Sequence, residues 1–309
     1  MRDEANPVAP RTAAHIPAAA IGLIVGAVLC FSILDGIVKS LVPRYPVALL
    51  VWVRYCVQAL AMLVWFGPGM GFGLVRTSSM RLQAVRAVIL VVSSVLFVNA
   101  LRSLPLADAT AINYSTPTVV ILLAVLFLHE KMTLPRAAFV VAGIIGMTLI
   151  VRPGAEIFRG ASLLAVAAAA CYASFQILTR KLAHEDSRVL LFYPALAGAV
   201  FMPLLVPWSS LPSSFPWQDL ALIVTGGLFG TVGHFLFILA FQRAPASGLT
   251  PFTYLQLVWA TLVGWIGFGD LPDELTVIGM AVIAGSGLLL AWHERRQATV
   301  QVAEPAVID

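Results

Sequence analysis

Few residues of this chain are equipped for chemistry, and those few stand in apolar company. Asp35, Arg54 and His234 each interrupt a long hydrophobic run. A carboxyl and an imidazole in such surroundings can carry a proton. An arginine is a permanent cation whose planar fork matches a carboxylate or phosphate. Lys39 follows Asp35 by four residues, so on a helix the two share a face. Neutral polar side chains accompany them. Gln58 lies one turn beyond Arg54 and Tyr55, Asn99 lies close to Asn113 and Tyr114, Tyr172 and Gln176 are again four apart, and Tyr254 stands downstream. These groups suit hydrogen bonding, either to a bound solute or between helices. Catalysis would need more. H-E-x-x-H, G-x-S-x-G and G-x-x-x-x-G-K-[ST] are all absent, so neither an enzyme nor a chain that draws directly on ATP is expected. Cys30, Cys56 and Cys171 sit in apolar runs without C-x-x-C spacing, and no metal or cofactor is expected.

The elements that must position these groups follow from composition. The 309 residues are 60% hydrophobic and 11% charged, with a mean hydropathy of +0.93. A soluble domain carries about 25% charged residues, so a soluble enzyme, a disordered chain and a nucleic-acid-binding module are excluded. Segments of about 20 apolar residues can each cross a bilayer as a helix. Ten are expected, near residues 18–40, 46–67, 84–101, 107–128, 135–152, 160–180, 188–208, 218–241, 246–267 and 275–292. The fold class is therefore an all-α membrane protein, with tails at 1–17 and 293–309. On alternate sides of these spans the 19 Lys and Arg divide 13 to 5, with Arg54 inside a span. The richer side, to which Arg76, Arg81 and Arg86 are assigned, is expected to be cytoplasmic along with both termini.

A charge at bilayer depth costs about 2.5–3.5 kcal/mol on insertion scales, so each needs a partner or a purpose. If spans 1 and 2 pack together, Asp35 and Arg54 lie within one turn in depth. Two arrangements are then open. Asp35, Lys39 and Arg54 form a polar triad whose surplus positive charge favours an anionic solute, or Asp35 and Arg54 close on each other while Lys39 reaches the interface. Arg54, Tyr55, Gln58, Asn99, Asn113, Tyr114, Tyr172, Gln176 and Tyr254 are the candidate solute-binding residues, and Asp35 and His234 the candidates for proton coupling. Close helix packing is expected at Gly22-x-x-x-Gly26, at Gly226-x-x-x-Gly230 with Gly227 and Gly233, and at Ala281-x-x-x-Gly285.

The two halves also resemble each other. Ala100 to Thr110 lines up with Ala240 to Thr250, and the same register sets Tyr114 against Tyr254 and Glu130 against Asp270. One residue longer, it sets Cys30-Phe31 against Cys171-Tyr172 and Lys39 against Arg180. Five spans per half, in 18–152 and 153–292, make the second repeat inverted. That is a recurring construction of secondary transporters, with the site near mid-membrane. Glu130 and Asp270, at span ends, are expected to set loop structure.

On these residues a family resemblance can be stated. Leu104-Pro105-Leu106-Ala107-Asp108-Ala109 through Pro117, with Leu128-His129-Glu130-Lys131, resembles the EamA-type domain of the drug/metabolite transporter superfamily. Ala244-Pro245-Ala246-Ser247-Gly248 through Gly269-Asp270 repeats it, departing where Gly269-Asp270 replaces His129-Glu130 and Leu257 replaces Pro117. The resemblance implies a ten-helix carrier of small organic metabolites in the bacterial inner membrane. Relatives of that kind export amino acids or opine metallophores, or import riboflavin or S-adenosylmethionine. An amino acid, an amino-acid-derived molecule or a ring-bearing solute is the expected cargo, with export favoured and riboflavin- or S-adenosylmethionine-type import as the alternative. A channel or membrane scaffold is the non-transport alternative. The expected partners are the solute and the lipid bilayer, with a homodimer left open and nucleic acid excluded.

Overall fold

A computed structural model describes residues 17–152, 159–182, 184–212, 214–244 and 246–303. Pro245 of the repeated motif, residues 1–16 of the first expected tail, Arg2 and Arg11 included, and residues 304–309 of the second lie outside the described residues. Among the described residues twelve α-helices run in order. They are α1 (Ala18–Leu41), α2 (Val47–Met70), α3 (Met80–Ala100), α4 (Leu106–Asn113), α5 (Thr116–Leu128), α6 (Leu134–Val151), α7 (Arg159–Lys181), α8 (Ser187–Phe201), α9 (Trp217–Arg243), α10 (Ala246–Thr253), α11 (Leu255–Phe268) and α12 (Glu274–Ala303). They make ten membrane-crossing segments, because α4 with α5 and α10 with α11 each share one span. Proline marks the starts: Pro17, Pro46, Pro105 and Pro216 stand extended just before α1, α2, α4 and α9. A proline there has no N–H to leave unpaired.

The two broken spans end alike. His129 after α5 and Gly269 after α11 both take the left-handed conformation, with φ of 54° and 72°. Each closes its helix by a backbone bond, to the carbonyl of Ala124 and to that of Gly264 or Trp265. The apparent divergence of His129-Glu130 from Gly269-Asp270 therefore hides one shared helix cap, in which glycine is the unstrained choice.

Packing pairs the halves across each other. α1 lies on α9 and α11, α3 on α7, α6 on α12, and α2 on α8 and α9. Spans 1 and 2 do not pack substantially on each other, which removes the premise that set Asp35 beside Arg54. Gly227 and Gly233 of α9 are close-packed as expected, since an added Cβ would come within 2.8 Å of Val57 and 2.7 Å of Phe31. Gly22 and Gly285 instead face open space. An unforeseen crossing of backbone on backbone joins α6 to α12, where a Cβ on Gly146 would lie 2.9 Å from the Gly279 carbonyl oxygen and a Cβ on Gly279 2.7 Å from that of Gly146.

One charge was misplaced by the sequence reading. Arg86 falls inside the expected span 84–101 yet was counted with the cations of the preceding loop; it is an α3 residue only 2% exposed. Its Nε donates to Thr179 Oγ1 (2.6 Å) and its Nη1 to the Leu190 carbonyl (2.8 Å) and Gln83 Oε1 (3.1 Å). The guanidinium also lies 4.4 Å from the Phe175 ring centroid. It is a strut joining α3, α7 and α8. The exterior is apolar where lipid must solvate it, with Trp65, Trp208, Trp217, Trp265 and Trp292 all at least 53% exposed.

Candidate functional site

The breaks in spans 4 and 9 meet inside the bundle. Tyr114 caps α4 and Tyr254 separates α10 from α11, and their ring centroids are 5.4 Å apart. The Tyr114 hydroxyl donates to the Thr253 carbonyl at 2.5 Å. The Gln256 side-chain amide lies 3.1 Å from the same hydroxyl. A hydroxyl has one proton, and Thr253 takes it, so Gln256 meets the tyrosine best with its amide nitrogen donating. Tyr254 does otherwise: its hydroxyl fills the notch at Gly287 of α12, where a Cβ would overlap it. Broken spans leave backbone carbonyls without helical partners, and these become hydrogen-bonding groups at membrane depth.

Arg54 reaches α3 from α2. Its Nη2 donates to Ser94 Oγ at 2.7 Å, and its guanidinium stands 4.7 Å from the Tyr55 ring centroid. Ser94 in turn donates to the Leu90 carbonyl at 3.0 Å, which leaves Tyr55 as the donor across the 2.8 Å contact between the two hydroxyls. Tyr55 is 2% exposed and holds this arrangement from below. Arg54 Nε is buried with no hydrogen-bond partner among the described residues, and no carboxylate there forms a salt bridge with Arg54. A buried N–H donor without an acceptor is costly, by about 1–3 kcal/mol.

Asp35 is partly exposed and, among the described residues, makes no hydrogen bond or ion pair. α9, which carries His234, packs on both α1 with Asp35 and α2 with Arg54, and α4, which Tyr114 ends, touches α1. Asp35 and Arg54 form no salt bridge among the described residues. His234 Nδ1 lies 2.8 Å from the Gly230 carbonyl, and its ring stands edge-on to Phe31 at 4.9 Å. A carbonyl only accepts, so Nδ1 carries the hydrogen and Nε2 is the nitrogen left to exchange a proton.

The other expected residues stand on α2, α3, α4 and α7. Gln58 is 8% exposed on α2. Asn99 turns its amide to the Val95 carbonyl of its own helix at 2.8 Å. Asn113 ends α4 and its carbonyl accepts from Thr116. Tyr172 stacks on Phe175 at 5.8 Å, and Gln176 follows one turn on. Lys39 leaves the centre altogether. Its Nζ donates to the Leu104 carbonyl (2.7 Å) and pairs with Asp270 (3.6 Å) at the charge-poor end of the bundle. Ser94 was missed from sequence, since a lone serine in an apolar helix carries no signal of its own. A cleft of about 130 Å³ at the charge-poor end is lined by Asp108, Arg152, Ser162 and Asp273. It contains none of the central residues.

Comparison with known proteins agrees with this architecture. An S-adenosylmethionine uptake transporter of Rickettsia conorii is 29% identical over 73% of this chain and 76% of its own length. A riboflavin transporter of Brucella anthropi is 28% identical over 70% and 78%. A pseudopaline exporter of Pseudomonas aeruginosa is 26% identical over 84% and 92%. A crystal structure with 19% identity covers 91% of this chain and 99% of its own, with a TM-score of 0.65, and shows the same fold. The EamA-like transporter family profile matches twice, over residues 18–152 and 159–292. Two matched halves, ten spans and a polar centre at the broken helices converge, and the chain belongs to the EamA-like transporter family.

Proposed function

We propose that this multi-pass membrane protein is a secondary transporter of a small organic metabolite bearing a carboxylate or phosphate, bound between Arg54, Asp35 and the Tyr114–Tyr254 pair. One observation carries the reading: Arg54 is a permanent cation inside a membrane span whose hydrogen bond goes to a neutral serine and whose Nε has no partner among the described residues. A solute anion supplies what is missing, and the fork geometry selects it. Asp35 offers a counter-charge to an amino group, and Tyr114, Tyr254 and Tyr172 offer faces to a ring. An amino acid or amino-acid-derived, ring-bearing solute fits that combination. Asp35 and His234 Nε2 are the groups available to couple its movement to a proton.

The charge-rich end is assigned to the cytoplasm, in a bacterial inner membrane, because loop lysine and arginine are retained there. Export is the proposed direction. Uptake is the second reading, favoured by the similarity to the Rickettsia conorii protein. The test is solute binding by thermal shift followed by counterflow in vesicles. A carboxylate-bearing solute should raise the melting temperature of the wild type but not of Arg54→Gln. Equal shifts for both proteins would remove Arg54 from the site.

A further inference from the structure

Two ion pairs at opposite ends of the bundle are built from the same two repeat positions. Lys39 near the end of α1 pairs with Asp270 after α11, at 3.6 Å. Arg180 near the end of α7 pairs with Glu130 after α5, at 3.3 Å. In the repeat register Lys39 corresponds to Arg180 and Asp270 to Glu130. Each pair joins the first span of one half to the fourth span of the other. Each acid directly follows a left-handed helix cap, His129 or Gly269, which turns the chain at the end of its broken span. The same bond is thus made twice, once at each end, as inversion of the repeat requires.

The two ends are not held equally. At the charge-poor end Lys39 also donates to the Leu104 carbonyl at 2.7 Å and lies 5.4 Å from the Phe268 ring centroid. There α4 packs on α11, and also against α12 and α1. At the charge-rich end Glu130 is shared between Arg180 and Arg136, and Arg180 is 55% exposed. Among the described residues no comparable packing joins α10 to α5, the counterparts of α4 and α11. Lys39 is 14% exposed where Arg180 is 55%, so the cation is the better shielded at the charge-poor end, while Glu130 has two arginine partners and Asp270 one lysine.

We propose that Lys39–Asp270 and Glu130–Arg180 are paired latches that close opposite ends of the central site and open in alternation, with this structure sealed at the Lys39 end. The proposal rests on the transport reading. Its test reads conformation alone, so the two can fail separately. Two broken spans, each latched at one end and at opposite ends of the bundle, give it two discrete arrangements, and each latch biases the balance between them.

Hydrogen–deuterium exchange by mass spectrometry on the detergent-solubilised full chain follows both ends at once. Lys39→Met should speed exchange about two- to fivefold around residues 100–112 and 264–274, the range expected for losing a partly exposed ion pair. It should slow exchange around 124–134 and 246–253. Arg180→Met should do the reverse. The second measurement modifies protein that is already folded, in a background with Cys30, Cys56 and Cys171 replaced by alanine. Lys39→Cys with Asp270→Cys, or Glu130→Cys with Arg180→Cys, is bridged by a bifunctional thiol reagent. Bridging one end should protect it and loosen the other. Changes confined to the altered end, or of one sign at both ends, would overturn the proposal and leave two ordinary structural ion pairs. Alternating exchange without any transported solute would instead count against the transport reading and leave the latches standing.

Discussion

The hydroxyl of Tyr114 donates to the backbone carbonyl of Thr253 at 2.5 Å, so the break in span 4 is tied directly to the break in span 9. The bond joins the two repeats at the depth where each helix ladder is interrupted. Tyr114→Phe leaves the Thr253 carbonyl without that donor and should lower stability by about 1–2 kcal/mol. Tyr254→Phe should cost less, because the Tyr254 hydroxyl packs at Gly287 and makes no hydrogen bond among the described residues. Melting temperatures of the two variants check this, and a larger loss for Tyr254→Phe would contradict it.

Arg54 should be intolerant even of lysine. Arg54→Lys keeps the charge but loses the fork, and should weaken binding of a carboxylate-bearing solute about tenfold or more while the protein still folds. Ser94→Ala removes the hydrogen bond that aims the guanidinium and should produce a smaller loss in the same direction. Binding isotherms on the wild type and both variants decide the order. Unchanged affinity in Arg54→Lys would show that only the charge matters.

Glycine should matter by contact, not by motif. Gly146→Ala and Gly279→Ala each push a methyl toward a backbone carbonyl that cannot move aside, and should destabilise by about 1–3 kcal/mol. Gly22→Ala and Gly285→Ala meet nothing within 4 Å and should be neutral or slightly stabilising, since alanine favours a helix by up to about 1 kcal/mol. Four thermal melts test the contrast.

The charge-poor end should show one acid transition outside the membrane. The Arg152 guanidinium beside Asp273, helped by the Thr276 backbone N–H, pulls that carboxyl down to about 2. A carboxylate depressed on folding stabilises the protein above its ordinary value near pH 4, and that contribution disappears as pH falls through 2. The melting-temperature gap between wild type and Asp273→Asn should therefore hold from neutrality to about pH 4 and close below it. The pair is half exposed, so the gap should be small. A gap already gone at pH 5 would be inconsistent with the depressed carboxyl.

Ten spans, their order and the two repeats were legible in the sequence because hydropathy is local: about 20 apolar residues suffice to commit a helix to lipid wherever its neighbours go. The rare polar residues inside those spans were legible for the same reason. The choice of partner was not. Lipid is as apolar as a helix face, so hydrophobicity does not say which helices meet, and shape and hydrogen bonds decide it. That is why α1 lies on α9 and α11 instead of α2, leaving Asp35 unclamped and Arg54 on Ser94. It is also why two lone glycines, Gly146 and Gly279, bring the backbones of α6 and α12 together while Gly22 and Gly285 of the small-residue motifs face open space. The correspondence of Lys39 with Arg180 and of Glu130 with Asp270 was visible as a register. Only the tertiary structure shows that each cation bonds the other half's acid, because an ion pair depends on where packing brings the ends of two helices that are not neighbours in the chain. Partners decided the last case: Arg86 falls within the expected third span, and Thr179 of α7 and the Leu190 carbonyl of α8 receive its guanidinium in the interior.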